Sequence, residues 1–342
     1  MNSEKHPGFI PPESILSLHR PAVEIIYQPT GQQMRYFILF ILTLLLACSA
    51  LKKANQSYEQ GDYRLTINEC KEVLARDSTR VDACLLLARA YMAIDKADSA
   101  KMAAARAWDL EPDDQETRNL YITILLNLAQ HKTKNENFYE AIALYKNVLT
   151  VEPKQPEALK KLADLYYRNG RIDEALSLYQ HSLSVTQDSL LIAEKIVKIK
   201  ERIIKSKSYL EKGKQALEEN RIKNAVRFLF TALDLKPDSK PIKYYHHMAK
   251  GRQLYKQGGK SELWDAIEHF GLAATLRPEL GEPHYRMGLA YHKKDRDEYD
   301  NAISEFKKAY KTNPDGPYAE ESLERSRELM KKKKIMREFW GK

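Results

Sequence analysis

The chain has 342 residues, of which 43% are hydrophobic and 30% are charged, and its formal net charge is +9. This amount of apolar sequence, with strong helix formers and few glycines, is sufficient for a continuous hydrophobic core. The three cysteines do not have the spacing of metal ligands, which excludes a metal or redox centre built on them.

Residues 1–33 contain several prolines and polar residues and show no hydrophobic periodicity. We expect this segment to be a disordered leader, or the product of a mis-assigned start with the true start at Met34. Either interpretation places it outside the folded part of the chain.

The next segment, 34–47, is predicted to be a signal peptide. Met34-Arg35 is followed by the apolar run Tyr36–Ala47, which is too short to span a membrane but has the length of a signal-peptide core. The run ends in Leu45-Leu46-Ala47-Cys48, which resembles a bacterial lipobox. The resemblance implies that Cys48 is lipidated and becomes the new N-terminus, with the repeats in the periplasm. The alternative is a buried apolar helix or hairpin with an ordinary cysteine.

After Cys48 one alanine recurs, with a bulky or apolar residue four positions later and usually a proline twelve positions later. The alanines are Ala100, Ala141, Ala175, Ala225, Ala266 and Ala302. The prolines are Pro112, Pro153, Pro237, Pro278 and Pro314. The alanines are 34 residues apart, or 34 plus an insertion of 2, 7 or 16, and a 34-residue period of two helices is typical of one repeat class.

On these residues the chain resembles the tetratricopeptide repeat family over about residues 50–316. The resemblance implies an all-α superhelical solenoid of about seven helix-turn-helix repeats with a C-terminal capping helix. Repeats one to four then occupy 48–189, a helical insertion 190–205, repeats five to seven 206–316, and the capping helix with a basic tail 317–342.

The insertions indicate where helices are longer than usual. Insertions of seven residues add two helical turns without rotating the apolar face, so we expect long first helices at 117–135 and 241–257. No helix-breaking residue interrupts the stretch from about Ser189 to Glu219, which predicts one long helix. Its apolar seam packs on repeats four and five, or forms a dimer contact. The seam consists of Ile192, Ile196, Ile199, Ile203, Leu210 and Leu217.

No residue pattern indicates catalysis, so we expect neither an enzyme nor a cofactor. Gly258-Gly259-Lys260-Ser261 lacks the first glycine of a phosphate-binding loop. Adjacent His246 and His247 point in different directions on a helix, and no metal site is expected. Cys70 and Cys84 fall on core positions. They are expected to be two buried thiols or, alternatively, to form a disulfide.

Positive charge is concentrated in 190–260, which holds 18 Lys and Arg against 7 Asp and Glu. This segment is a solvated helix face, or a surface for an acidic protein segment or an anionic lipid headgroup. In the family, certain positions on the first helix of each repeat face the ligand. The resemblance places them at Arg89, Met92, Lys160, Tyr167, Arg168, Lys207, Lys214, Tyr285 and His292. Only Asn55 matches the family's clamp for chaperone tails, so such tails are not expected ligands.

The sequence thus predicts a non-catalytic protein-binding scaffold, a lipid-anchored adaptor for assembly of a cell-envelope complex. The expected partner is a protein or peptide, with an acidic segment as the candidate that the basic segment favours, rather than a nucleic acid or a small-molecule substrate. The alternative is a regulatory subunit attached to an envelope enzyme or a polysaccharide-export machine.

Overall fold

The computed structural model describes residues 50–186, 189–294 and 299–340. These ranges contain fifteen helices and no strand. The helices are α1 (50–59), α2 (Tyr63–Arg76), α3 (Val81–Ala93), α4 (Ala97–Leu110), α5 (Gln115–Lys134), α6 (Phe138–Val151), α7 (Pro156–Arg168), α8 (Ile172–Val185), α9 (Leu190–Glu218), α10 (Ile222–Leu235), α11 (Lys240–Gln257), α12 (Lys260–Leu276), α13 (Glu282–Lys294), α14 (Tyr299–Thr312) and α15 (Ala319–Trp340).

Packing follows chain order. From α2 onward each helix contacts the helices before and after it, and further contacts join α3 to α5, α9 to α11 and α11 to α13. The odd-numbered helices α1 to α13 are therefore the first helices of seven repeats, and the even-numbered helices α2 to α14 are the second helices. We call the surface formed by the odd-numbered helices the first-helix face. The predicted all-α solenoid is confirmed.

The recurring alanines lie where the two helices of repeats two to seven meet. All six are completely buried, and the apolar residues four positions later are buried as well. The first helix also has a small residue where it meets these side chains. At Gly288, for example, an added Cβ would lie 2.7 Å from the ring of Phe306. Close approach at small residues, with an aromatic filling the remaining space, gives the dense packing of a protein core.

The ends of the helices follow from local chemistry. Each of the five recurring prolines lies two residues beyond the end of a second helix, where it cannot continue that helix. Helix α7 ends at Arg168, and Gly170 follows it with φ of +73°, a conformation that glycine adopts without strain. Asp62 and Asp114 begin α2 and α5 by accepting hydrogen bonds from the first-turn amides of Leu65 and Thr117.

The long helices are confirmed. Helix α5 has 20 residues, α11 has 18, and α9 has 29, with 190–205 as its N-terminal half. Ile192, Ile196 and Ile199 join an apolar cluster with residues of α7 and α8. Leu217 joins a second cluster with residues of α10. The seam of α9 is therefore covered within the chain, as the first of the two interpretations predicted.

Helix α15 covers the last repeat. Ser322, Ser326 and Leu329 are buried on the side that packs against α14, so the predicted capping helix is confirmed, and it continues to Trp340. Within the described ranges, no helix combines the length and the apolar character that crossing a bilayer requires. The predicted leader (1–33), signal peptide (34–47) and lipid-bearing Cys48 lie outside the described residues.

Two thiols are buried in the first repeats. Cys70 and Cys84 are both fully buried and unbonded to each other. Burial, with the Glu69 carboxylate adding to it, raises the pKa of Cys70 to about 12. A thiol that stays protonated in this way is a poor nucleophile. The sequence left two interpretations open, two buried thiols or a disulfide, and the structure contains two buried thiols.

Candidate partner-binding face

A cavity of about 560 Å³ opens on the first-helix face where repeats three, four and five meet. It lies between α7 and the N-terminal half of α9, with α5, α6 and α8 at its base. Its lining residues are Thr133, Tyr145, Lys161, Asp164, Leu165, Tyr167, Arg168, Tyr179, Lys195, Lys198 and Ile199. The 16-residue insertion thus forms one wall of this cavity, which we call the central cavity.

One carboxylate fixes the base of the central cavity. The Tyr179 hydroxyl donates a hydrogen bond to Asp164 Oδ1, and Lys195 Nζ donates to the same oxygen at 2.5 Å. Burial, reinforced by the nearby Asp164 charge, raises the pKa of Tyr179 well above its usual value. These three side chains come from α7, α8 and α9, so the network also joins three consecutive helices.

The remaining cations of the central cavity have no carboxylate partner among the described residues. Lys161, Arg168 and Lys198 are exposed and form no ion pair there, and the Arg168 guanidinium lies 4.6 Å from the ring centroid of Phe138. Four cations against one carboxylate leave the lining side chains positive. A partly apolar cavity with unpaired cations is suited to an acidic group next to an apolar one.

Arg202 stabilises the wall that α9 contributes. Its Nε donates to the carbonyl of Leu235 at 2.6 Å, and its Nη2 donates to the carbonyl of Asp234 at 2.9 Å, at the C-terminus of α10. Its Nη1 donates to the Tyr167 hydroxyl at 3.2 Å. Arg202 therefore connects α7, α9 and α10 and holds Tyr167 at the edge of the cavity.

A second cavity, of about 450 Å³, lies further along the same face between α9, α11 and α13. Here the charges are largely paired: Arg286 contacts Glu282 at 3.1 Å, and the Tyr318 hydroxyl donates to Glu282 at 3.2 Å. Lys214 contacts Glu211 at 2.7 Å and lies 5.2 Å from the ring of Tyr245. Arg252, which also lines this cavity, donates to Asn220 Oδ1 at 3.2 Å and forms no ion pair with a described carboxylate. With one such cation against three in the central cavity, this cavity is less suited to an added anion.

The structure distributes the predicted groove residues over several places. Tyr167 and Arg168 come together at the central cavity and Lys214 at the second, while Met92 borders a third cavity between α3 and α5. Arg89 forms an ion pair with Glu116 of the next repeat. Three further residues do not line these cavities: Lys160 is half-buried, Lys207 is exposed and the His292 ring is 6.1 Å from Tyr299.

One predicted groove residue is not accessible. Tyr285 is only 5% exposed, its hydroxyl donates to Glu321 at 2.6 Å, and its ring stacks on Tyr318 at 4.9 Å. Both partners belong to the capping segment, which covers the first-helix face of repeat seven. Tyr285 therefore belongs to the core, and the prediction that it faces a ligand is wrong.

His246 and His247 form a group with His269 inside repeat six, which their positions in the sequence did not indicate. The Nδ1 atoms of His247 in α11 and His269 in α12 lie 2.9 Å apart, so one ring donates a hydrogen bond to the other. The ring of His246 lies 5.9 Å from that of His247. Burial, followed by the nearby His269 and then His246, lowers the pKa of His247 to about 4. The described residues contain no group of three or more side chains arranged to hold a metal ion.

Comparisons with known proteins agree with the repeat architecture. The model described as "Tetratricopeptide repeat" matches residues 57–121 and 132–194. Tetratricopeptide repeat protein 37 of Xenopus laevis is 30% identical over 121 residues, 34% of this chain and 8% of that protein. Superkiller complex protein 3 of Homo sapiens is 30% identical over 125 residues, 35% of this chain and 8% of that protein. The chain thus matches less than a tenth of the length of these curated relatives.

Among solved structures, the TPR domain of P58(IPK) has a TM-score of 0.36 and 16% identity, over 84% of this chain and 89% of that one. The helix pairs and the family match together define the class of this protein: it is an all-α solenoid of helix pairs, and residues 57–121 and 132–194 match the tetratricopeptide repeat. Proteins built from such repeats generally act as non-catalytic scaffolds that bind other proteins or peptides.

Proposed function

We propose that this chain is a non-catalytic, lipid-anchored scaffold of a bacterial cell envelope that assembles a complex by holding an acidic segment of a partner protein. The anchor is Cys48, and the partner segment lies along the first-helix face. The repeats are in the periplasm. The lipobox-like sequence before Cys48 supports the location, and the repeat class supports the binding role.

The central cavity is the observation that carries the binding proposal. Lys161, Arg168 and Lys198 surround an opening of about 560 Å³ without carboxylate partners among the described residues, next to the rings of Tyr167 and Tyr179. An acidic side chain would gain charge-assisted hydrogen bonds from the cations. A neighbouring apolar side chain would be desolvated against the aromatic rings, the arrangement common in the energetic centres of interfaces.

The surrounding charge supports an acidic partner. The 190–260 segment, which provides one wall of the cavity, has an excess of 11 positive charges. Such a field raises the rate at which an oppositely charged segment arrives, and salt weakens it. The cations inside the cavity then determine how long the segment stays.

Reversing the three unpaired cations of the central cavity should abolish most of the binding. In Lys161→Glu/Arg168→Glu/Lys198→Glu, we expect the affinity for the partner to fall by more than about tenfold at low salt, with a smaller loss at high salt. The partner is first identified by cross-linking in membranes and mass spectrometry, and its purified acidic segment is then titrated at two salt concentrations.

The matched control reverses three exposed lysines of second helices, Lys71, Lys307 and Lys311, which lie away from the central cavity. It changes the net charge by the same amount. Equal losses in the two variants would mean that only overall charge matters, and unchanged affinity in the cavity variant would refute the proposed site. Circular dichroism confirms that both variants keep their helices.

Replacing Cys48 tests the anchor separately. Since the thiol is the atom that receives the lipid, Cys48→Ser should move the protein from the membrane fraction to the soluble fraction or leave an uncleaved precursor. Intact-mass analysis of the wild-type protein should give a diacylglycerol-bearing chain that begins at Cys48. A wild-type chain that begins at Met1 or Met34 would contradict the anchor, but not the binding proposal.

A further inference from the structure

The end of α15 extends beyond the helix that it caps. Lys333 forms an ion pair with Asp300, the second residue of α14, so the residues after Lys333 pass the beginning of that helix. The buried positions of α15 also end earlier, at Leu329. Residues 331–339 therefore form an exposed end of the helix, which we call the C-terminal tip.

The C-terminal tip is strongly basic. It holds five cations in nine residues, against the single carboxylate of Glu338. The cations are Lys331, Lys332, Lys333, Lys334 and Arg337. Lys334 Nζ lies 3.8 Å from Glu338, whereas Lys331, Lys332 and Arg337 form no ion pair with a described carboxylate. The preceding part of α15 is acidic instead, so charge is separated along this helix.

The C-terminal tip also exposes large apolar side chains. Ile335 is 63% exposed and Phe339 is 78% exposed. These residues are four positions apart and therefore lie on the same side of the helix, one turn after Lys331. The helix dipole accounts for cations in the last turn only. It does not account for lysines two turns earlier or for exposed isoleucine and phenylalanine.

We propose that the C-terminal tip binds the surface of an anionic phospholipid bilayer. Ile335 and Phe339 enter the boundary between headgroups and acyl chains, and Lys331, Lys332 and Lys334 contact the lipid phosphates. Helices with apolar residues on one side and cations beside them bind membranes in this way. This contact does not depend on acylation of Cys48.

The exposed stripe of α9 provides a contrast. Leu190, Val197 and Ile204 are exposed at seven-residue intervals, and two carboxylates, Glu194 and Glu201, lie next to this stripe together with two cations, Lys200 and Lys207. At the C-terminal tip the cations are in excess, since Lys331 and Lys332 lie beside Ile335 against the single carboxylate of Glu338. Carboxylates beside the inserting residues would be repelled by an anionic surface. The charge arrangement therefore favours the C-terminal tip over α9 as the membrane contact.

A local fluorescent label tests the proposal in the full chain. An environment-sensitive dye is attached to Ile335→Cys in a Cys48→Ser background, where Cys70 and Cys84 are protected by burial. We expect a blue shift and stronger emission with vesicles of phosphatidylcholine and phosphatidylglycerol, and neither with phosphatidylcholine alone. Because the label reports only on its own surroundings, insertion of the N-terminal apolar segment does not produce this signal.

Two variants make the outcome decisive. Lys331→Glu/Lys332→Glu/Lys334→Glu should raise the lipid concentration for half-maximal signal by at least about tenfold. The matched control, Lys200→Glu/Lys205→Glu/Lys212→Glu at exposed positions of α9 outside the central cavity, should leave it unchanged. A dye at Met102→Cys, a position that is 72% exposed on α4, should not respond. No response at position 335, an equal response without phosphatidylglycerol, or a loss caused by the α9 variant would overturn the proposal.

Discussion

Phe270→Ala should lower the free energy of unfolding by about 3–5 kcal/mol, the usual cost of removing a buried aromatic ring. Phe270 is almost completely buried in a cluster contributed by α11, α12 and α13. Because each repeat is stabilised mainly by its neighbours, the loss should be local. Hydrogen exchange should show faster exchange in α11–α13 and little change in α3–α6.

A second substitution checks that the ring itself is responsible. A Cβ on Gly251 would lie 2.6 Å from the Phe270 ring, so Gly251→Ala alone should destabilise the protein. In the Phe270→Ala background the same change should be neutral or stabilising, because the clash is gone and alanine favours the helix. Leu272→Ala, at a partly exposed position of the same helix, is the control with a small effect. Additive effects of Gly251→Ala and Phe270→Ala would refute this packing.

Stability should fall as the pH is lowered from 6.5 to about 4, because of the histidines of repeat six. Burial lowers the pKa values of His246, His247 and His269, that of His247 to about 4. The unfolded chain binds protons at these rings below pH 6.5, whereas the folded chain resists protonation. The stability is therefore complete above 6.5 and is lost progressively as the pH falls towards 4, and because the His247 ring is only partly buried the loss is smaller than its full pKa shift would give.

The charged neighbours of these rings include some that lower the histidine pKa values and some that raise them. They are Lys243 and Lys250 from α11, which disfavour protonation, and Asp265 and Glu268 from α12, which favour it at His269. Urea unfolding at several pH values measures the loss. His247→Asn should flatten the pH dependence between 6.5 and 4 relative to the wild type. If the two proteins lose stability in parallel over that range, the histidine group is not the cause.

The parts of the fold that were predictable are those that recur. The alanines, the apolar residues that follow them and the prolines recur because the two helices of each pair pack against each other in the same way. The insertion lengths also carried information, since seven residues make two turns, and the absence of a helix breaker predicted α9 almost to its ends. Local periodicity is sufficient for such elements because each one packs mainly against its neighbours in the sequence.

The candidate site was less predictable because it depends on departures from the repeat. Arg168 and Tyr167 followed from their repeat positions, but Lys195 and Lys198 lie in the insertion, for which the family pattern has no positions. Tyr285 was wrongly placed because the repeat pattern does not include the capping helix that covers it. The pairing of His247 with His269 joins two helices, and no spacing within one helix indicates it.

The length of α9 also affects how the solenoid responds to force. At 1.5 Å per residue its 29 residues span about 43 Å, and its two ends belong to different apolar clusters. Elsewhere the solenoid can change its curvature at the turns between its shorter helices. Around repeats four and five it would have to bend a continuous helix, which resists bending. Since α9 forms one wall of the central cavity, we expect the cavity to keep its shape when the ends of the molecule are pulled.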